Sequence, residues 1–260
     1  MSSSDYRTRF LSDTVARKYD EMYQGNSYDL WLWNKEMKIL ELIITKYLRN
    51  VTSIRYLDFA CGIGRIVSFM ESRVGTAVGI DVSLPMLERA AQRVRTASLV
   101  HGDITQDKNL LAGPFDLITA FRFFLNAQTD LRAGALEALR VRLADDGLLV
   151  LNIHGNSWSL RAISVVLKRL LGNNESINQM SPLQVKRMLV SHGFRVVDMY
   201  GVGVLTPRLH KLCGQRVSHV LSRMLQVLGL QVFAIDIIVV CRKMIPSEVK
   251  EQEKREHQSR

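Results

Sequence analysis

Cysteine is scarce in this chain, with Cys61, Cys213 and Cys241 the only three in 260 residues. They are too few and too scattered for a disulfide framework or a zinc site. A reducing compartment is therefore expected, and no metal. Proline is also rare, at five residues, and no Pro-, Gly- or Ser-rich linker interrupts the chain. Residues 1–245 are accordingly expected to form one domain, with residues 246–260 a polar, disordered tail. There is no internal repeat. No run approaches the roughly 20 unbroken apolar residues of a membrane span, and MSSSDYRTRF at the start lacks the apolar core of a signal peptide. The expected location is cytoplasmic. The chain carries a net charge of +10. It shows no zinc motif and no basic run interleaved with stacking aromatics, so nucleic acid is a weakly supported partner.

The most informative stretch is YLDFACGIGR, Tyr56 to Arg65. An apolar run ends in Asp58, and Gly62 and Gly64 then allow a sharp turn whose backbone lies open to a ligand before a helix begins. A dinucleotide fingerprint would need a third glycine where this chain has Val67, which weakens a nicotinamide reading. A second apolar strand, VGIDVSLPML, ends in Asp81 about twenty residues past the glycines, where an acid can accept both hydroxyls of a ribose. HGDITQ places Asp103 after a third short strand.

The ordered trio DFACGIG, GID and GDI resembles the class I S-adenosylmethionine-dependent methyltransferases across Tyr56 to Leu151. The resemblance implies that Asp58, Ala60 and Gly62 lie along the methionine part of S-adenosylmethionine. It further implies that Asp81 holds the ribose, that Asp103 accepts from the adenine amino group, and that Val82, Met86 and Ile104 pack on the ring. It also implies that the Phe121 carbonyl meets the cofactor ammonium. The run YDEMYQGNSYDLW resembles the N-terminal lid of small-molecule methyltransferases that act on nucleotide-activated sugars, which makes Tyr28 the best of Tyr19, Tyr23 and Tyr28 for closing over the site.

Alternating strands and amphipathic helices predict an α/β fold: a Rossmann-like, doubly wound sheet of seven strands, mostly parallel, with the last antiparallel. Strands are expected at 54–59, 75–81, 97–101, 115–121, 147–153, 194–200 and 233–241. A helical lid is expected over residues 1–50 and a helical cap insertion over 201–232. Ligands in such sheets sit at the carboxyl ends of the strands. There ITAFRFFLN lacks the Asn-Pro-Pro-aromatic motif of many amino-methylating enzymes, and offers Phe121, Phe123 and Phe124 as an apolar wall with Arg122 for a substrate phosphate or carboxylate. His154, in NIHGN after the fifth strand, is the expected catalytic base, because its ordinary pKa lies near working pH.

The insertion carries a basic amphipathic pattern over 206–230, and Trp158 to Gly172 carries a second. These patterns have three readings: a surface that meets anionic lipid or a lipid-linked acceptor, a homodimer interface, or a plain substrate cap. The expected activity is methyl transfer to an oxygen or nitrogen of a small-molecule, sugar or lipid-linked acceptor. The alternatives are an RNA or protein methyltransferase, and a module that binds the cofactor without turnover.

Overall fold

Successive side chains of a strand face opposite sides of its sheet, and strand β1 (Arg55–Phe59) shows why this sheet must be covered twice. Leu57 and Phe59 enter one buried cluster and Tyr56 the other. The computed structural model describes residues 5–25, 27–159, 161–162, 178–245 and 248. The expected tail from Pro246, apart from Glu248, and most of the basic stretch from Trp158 to Gly172 lie outside them.

The other strands are β2 (Thr76–Asp81), β3 (Ser98–His101), β4 (Phe115–Phe121), β5 (Leu143–Ile153), β6 (Phe194–Val202) and β7 (Asp236–Lys243). Their order is β3-β2-β1-β4-β5-β7-β6, with β7 antiparallel to both neighbours and the other pairings parallel. The expected sheet is present. Its fifth strand begins four residues earlier than the apolar run suggested, because helix α5 (Thr129–Arg142) passes directly into it without a loop.

Helix α1 (Asp13–Gly25) leads to α2 (Ser27–Tyr47), whose Trp31, Leu32, Leu40 and Ile43 cover one sheet face together with Ile66 and Val67 of α3 (Arg65–Met70). On the other face lie Leu131, Ala135 and Leu139 of α5, and Val185 and Leu189 of α6 (Pro182–Val190). The side chains of Ser181 and Gln184 cap the start of α6 reciprocally. Helix α4 (Leu84–Ala91) begins at Ser83, whose hydroxyl accepts the Met86 N–H. The insertion between β6 and β7 contains α7 (Pro207–Val227), bent at Gly214. It leaves from the carboxyl end of β6, the side of the sheet on which Asp58, Asp81 and Phe121 also lie.

Candidate active site

The turn after β1 is held from below. Asp58, 1% exposed, accepts from the Val67 N–H at 3.1 Å and from the Thr119 hydroxyl at 2.7 Å, tying the turn to β4. Burial pushes its carboxyl up to about 7. Asp58 therefore braces the floor rather than lining the cavity, which corrects the cofactor contact expected of it. Above it, Ala60 and Gly62 adopt left-handed backbone at φ 55 and 54. Such strain in a non-glycine residue persists only where surrounding structure imposes it.

The Gly62 N–H donates to one oxygen of Asp81 at 2.8 Å and the Ser83 N–H to the other at 2.9 Å. A carboxylate accepts at about four positions, so each oxygen of Asp81 can also receive a ribose hydroxyl. One oxygen of Asp103 accepts from the backbone and hydroxyl of Thr105, at 2.8 and 2.6 Å, and the other from Arg7 at 3.1 Å.

Asp81 and Asp103 line one cavity, together with Ala60, Gly62, Val82, Met86, Phe121, Arg122 and Phe123. A Cβ built on Gly62 would meet no atom within 4 Å, so the cavity comes up to bare backbone. Ile104, at 1% exposure, belongs to the core beneath and does not line the cavity; its neighbour Thr105 does. Phe124 is likewise core.

Of the roof, Tyr19 was expected from the lid, but Tyr6, Arg7 and Phe10 were not. A short 3-10 turn, Tyr6–Thr8, brings Tyr6 and Arg7 over the cavity beside Phe10 and Tyr19. The Tyr6 ring meets Phe10 and Phe123 edge to face, each at 5.8 Å, and the Ser83 hydroxyl donates to the Phe10 carbonyl at 2.6 Å. Arg7 sits on the carboxylate that an adenine amino group would use. The pair is partly exposed, so it contributes only about 0.2 to 1 kcal/mol. Arg7→Ala is expected to tighten S-adenosylhomocysteine binding by up to about fivefold in low salt, and calorimetry showing weaker binding would make Arg7 a cofactor ligand instead.

Tyr28 lies elsewhere. It is buried, donates to the Leu205 carbonyl at 2.8 Å and meets the His210 ring at 5.1 Å, so it fastens α2 to the insertion and does not line the cavity. The catalytic contact expected of it is corrected accordingly. Tyr19 of that run reaches the cavity.

His154 is also corrected. Burial, with Arg122 and Arg161 nearby, pushes its pKa down to about 3. The Asn126 amide, fixed by donating to the Arg122 carbonyl at 2.9 Å, also donates to His154 Nε2 at 3.2 Å. The proton of the neutral ring then belongs on Nδ1, and the low pKa leaves Nε2, already engaged by Asn126, a weak base.

Beside it lies a group of buried polar side chains that the motifs did not reveal. Glu36, 0% exposed on α2, accepts from Asn152 Nδ2 at 3.2 Å and faces Arg122 at 3.6 Å. Asp236 opens β7, buried, its carboxyl pushed up to about 7 by that burial. Glu36 had left a signal, since it falls at helical spacing between Leu32 and Leu40 on the apolar side of α2. Asp236 had left another, interrupting the aliphatic run AIDIIVV. Among the described residues no group of His, Cys, Asp or Glu is placed to hold a metal ion.

Strand order, glycine turn and the two carboxylates at the ends of β2 and β3 define a cofactor-binding α/β domain. Residues 57–147 match a family model described as a methyltransferase domain. Those residues carry a methyltransferase domain, and the fold is that of S-adenosylmethionine-dependent methyltransferases. The cofactor of such domains is S-adenosylmethionine, and the residues present fit it: bare backbone at Gly62, and carboxylates at Asp81 and Asp103 with room to accept further hydrogen bonds.

A curated dTDP-3-amino-3,6-dideoxy-alpha-D-glucopyranose N,N-dimethyltransferase of Streptomyces fradiae is 30% identical over 142 residues, covering 54% of this chain. This chain spans about half of that relative's length, 52%. Magnesium protoporphyrin IX methyltransferase of Synechocystis PCC 6803, solved with bound S-adenosylhomocysteine, superposes with a TM-score of 0.63 at 16% identity, over 91% of this chain and 97% of that one. An S-adenosylmethionine-dependent methyltransferase of Clostridium acetobutylicum gives 0.56 at 16% identity, over 88% and 99%.

Proposed function

We propose that this chain transfers a methyl group from S-adenosylmethionine to an oxygen or nitrogen of a small-molecule acceptor of the sugar or lipid-linked kind. The observation that carries the reading is the placement of Gly62, Asp81 and Asp103 around one roofed cavity whose far wall is Phe121, Arg122 and Phe123. The bound cofactor supplies an electrophilic methyl group, and displacement from a sulfonium needs alignment and exclusion of water more than it needs many catalytic side chains. Tyr6, Phe10 and Tyr19 exclude water from above, and Phe121 and Phe123 give the methyl group an apolar surround. The curated relative, whose name describes an amino sugar acceptor, supports a small acceptor.

The test is a cell extract incubated with the protein and methyl-labelled cofactor, followed by mass analysis of the products. Label in a small metabolite or glycolipid is the expected result. Label confined to RNA or protein, or none despite cofactor binding, overturns the reading.

A second feature favours the lipid-linked form. Along α7 and just beyond it, Leu212 is 82% exposed, Val220 57%, Met224 52% and Leu228 62%, interleaved with exposed Arg208, Lys211, Arg216 and Arg223. Apolar insertion and attraction to anionic lipid act together on such a face, each basic residue contributing about 1 kcal/mol near the surface. The protein is expected to sediment with anionic vesicles at low salt, and replacing the four basic residues by glutamine should release it. Failure to sediment, with a dimer in solution that Leu212→Glu splits, would assign the face to a second copy of the chain.

A further inference from the structure

Side chains at Asn152 and His154 of β5 and its exit, and at Asp236 of β7, point to the sheet face that α2 covers. Val150 and Ile238, each two residues from one of them along its strand, lie in that same buried layer. The register sets Asn152 between Phe121 of β4 and Ile238 of β7. Asn152 is thus the immediate neighbour of a residue that lines the cofactor cavity. From above, Glu36 of α2 closes the group.

The group is incompletely satisfied. Glu36 Oε1 takes both the Asn152 amide and the Arg122 guanidinium, while Glu36 Oε2 and Asn152 Oδ1 are buried with no hydrogen-bond partner. Two orphaned acceptors at one buried point each cost about 1 to 3 kcal/mol unless something donates to them. Asp236 lies on the same sheet face, with Arg122 and Glu36 among the charges that act on it. A hydroxyl brings one donor and an ammonium three with a positive charge. Only the second can donate to both orphaned acceptors at once.

We propose that Glu36, Asn152 and Asp236 form the acceptor subsite and that it takes an amine, which enters as an ammonium and displaces the Arg122 guanidinium from Glu36. Arg122 is the connection to the cofactor, since it lines the cavity and meets Glu36 at 3.6 Å, beyond good hydrogen-bond length. Its backbone is left-handed at φ 59, so the residue is held at the junction by its surroundings. The inference rests on the methyl-transfer reading above and narrows it to nitrogen. The chemistry balances: Asp236 takes one ammonium proton, and the freed nitrogen lone pair forms the new N–C bond as the C–S bond breaks. The bonding pair goes to sulfur, which becomes a neutral thioether, and the positive charge leaves on the methylated nitrogen.

Cyclohexylamine and cyclohexanol, the same shape with different head groups, test it by ligand-observed NMR on protein saturated with S-adenosylhomocysteine. The amine should bind at least tenfold more tightly than the alcohol. The ratio should fall to within about twofold in Glu36→Gln and in Asp236→Asn, while both variants keep the parent's affinity for S-adenosylhomocysteine, which certifies their fold. Equal binding of the two fragments to the parent, or binding of neither at the highest soluble concentration, overturns the proposal. So does a preference that survives in both variants. Failure of the parent to bind S-adenosylhomocysteine at all would instead sink the methyl-transfer reading.

Discussion

Asp81→Ala is expected to weaken S-adenosylhomocysteine binding by on the order of a hundredfold or more, and isothermal calorimetry reads this directly. The carboxylate does two things at once. It would receive the ribose hydroxyls, each such bond to a charged acceptor contributing about 1.5 to 3 kcal/mol, and it already holds the Gly62 and Ser83 N–H groups at 2.8 and 2.9 Å. Removing it takes away the ligand contacts and loosens the turn that presents bare backbone to the cofactor. Its pKa is raised by burial and opposed by those backbone donors, so the site favours an occupant that adds further donors to the carboxylate. Asp81→Asn keeps the shape, but must turn an amide N–H₂ toward either the Gly62 or the Ser83 donor, and it should recover little of the loss. Binding within threefold of the parent would remove Asp81 from the cofactor site.

The placement of Asp81 and Asp103 in one cavity was legible in the sequence, because each follows an apolar strand of a sheet whose carboxyl ends meet. Strand ends are themselves legible where an apolar run stops. The turn was legible too, since sharp backbone needs glycine. Asp58 was misassigned because a strand-end acid looks the same in sequence whether it faces a ligand or braces the turn from beneath. What decides between the two is Thr119, 61 residues away and contributed by the neighbouring strand. Tyr28 and His154 failed similarly, since each was placed on the correct element but its partner, Leu205 or Asn126, comes from another part of the chain.

Beyond Tyr19, the roof had no local signature. Arg7 reaches Asp103 across 96 residues, and nothing about a polar leader shows which acid it will meet. Glu36 and Asp236 were different in kind. Each breaks an apolar pattern, and an acid on a buried face is a place where folding energy has been spent on something other than packing.

The two glycines of the turn should separate function from stability. Gly64 sits at φ 77, and a Cβ there would lie 2.8 Å from the Ala90 Cβ and 3.0 Å from the Ala90 Cα, so α3 and α4 approach each other through the missing side chain. Left-handed backbone costs an alanine about 1 to 2 kcal/mol, and relieving the overlap against backbone about 1 to 3 more. Gly64→Ala is therefore expected to cost about 2 to 5 kcal/mol in all, a drop in Tm of about 5 to 15 °C for a chain of this size. Gly62, at φ 54, carries the same backbone cost, but a Cβ there meets nothing within 4 Å and stands in the cavity the cofactor needs. Gly62→Ala should leave Tm within a few degrees of the parent while lowering cofactor affinity at least tenfold. Thermal unfolding and calorimetry on the same two variants check both halves. If Gly62→Ala bound S-adenosylhomocysteine as the parent does, the bare backbone of this turn would not be a cofactor contact, and the glycine would serve only the turn.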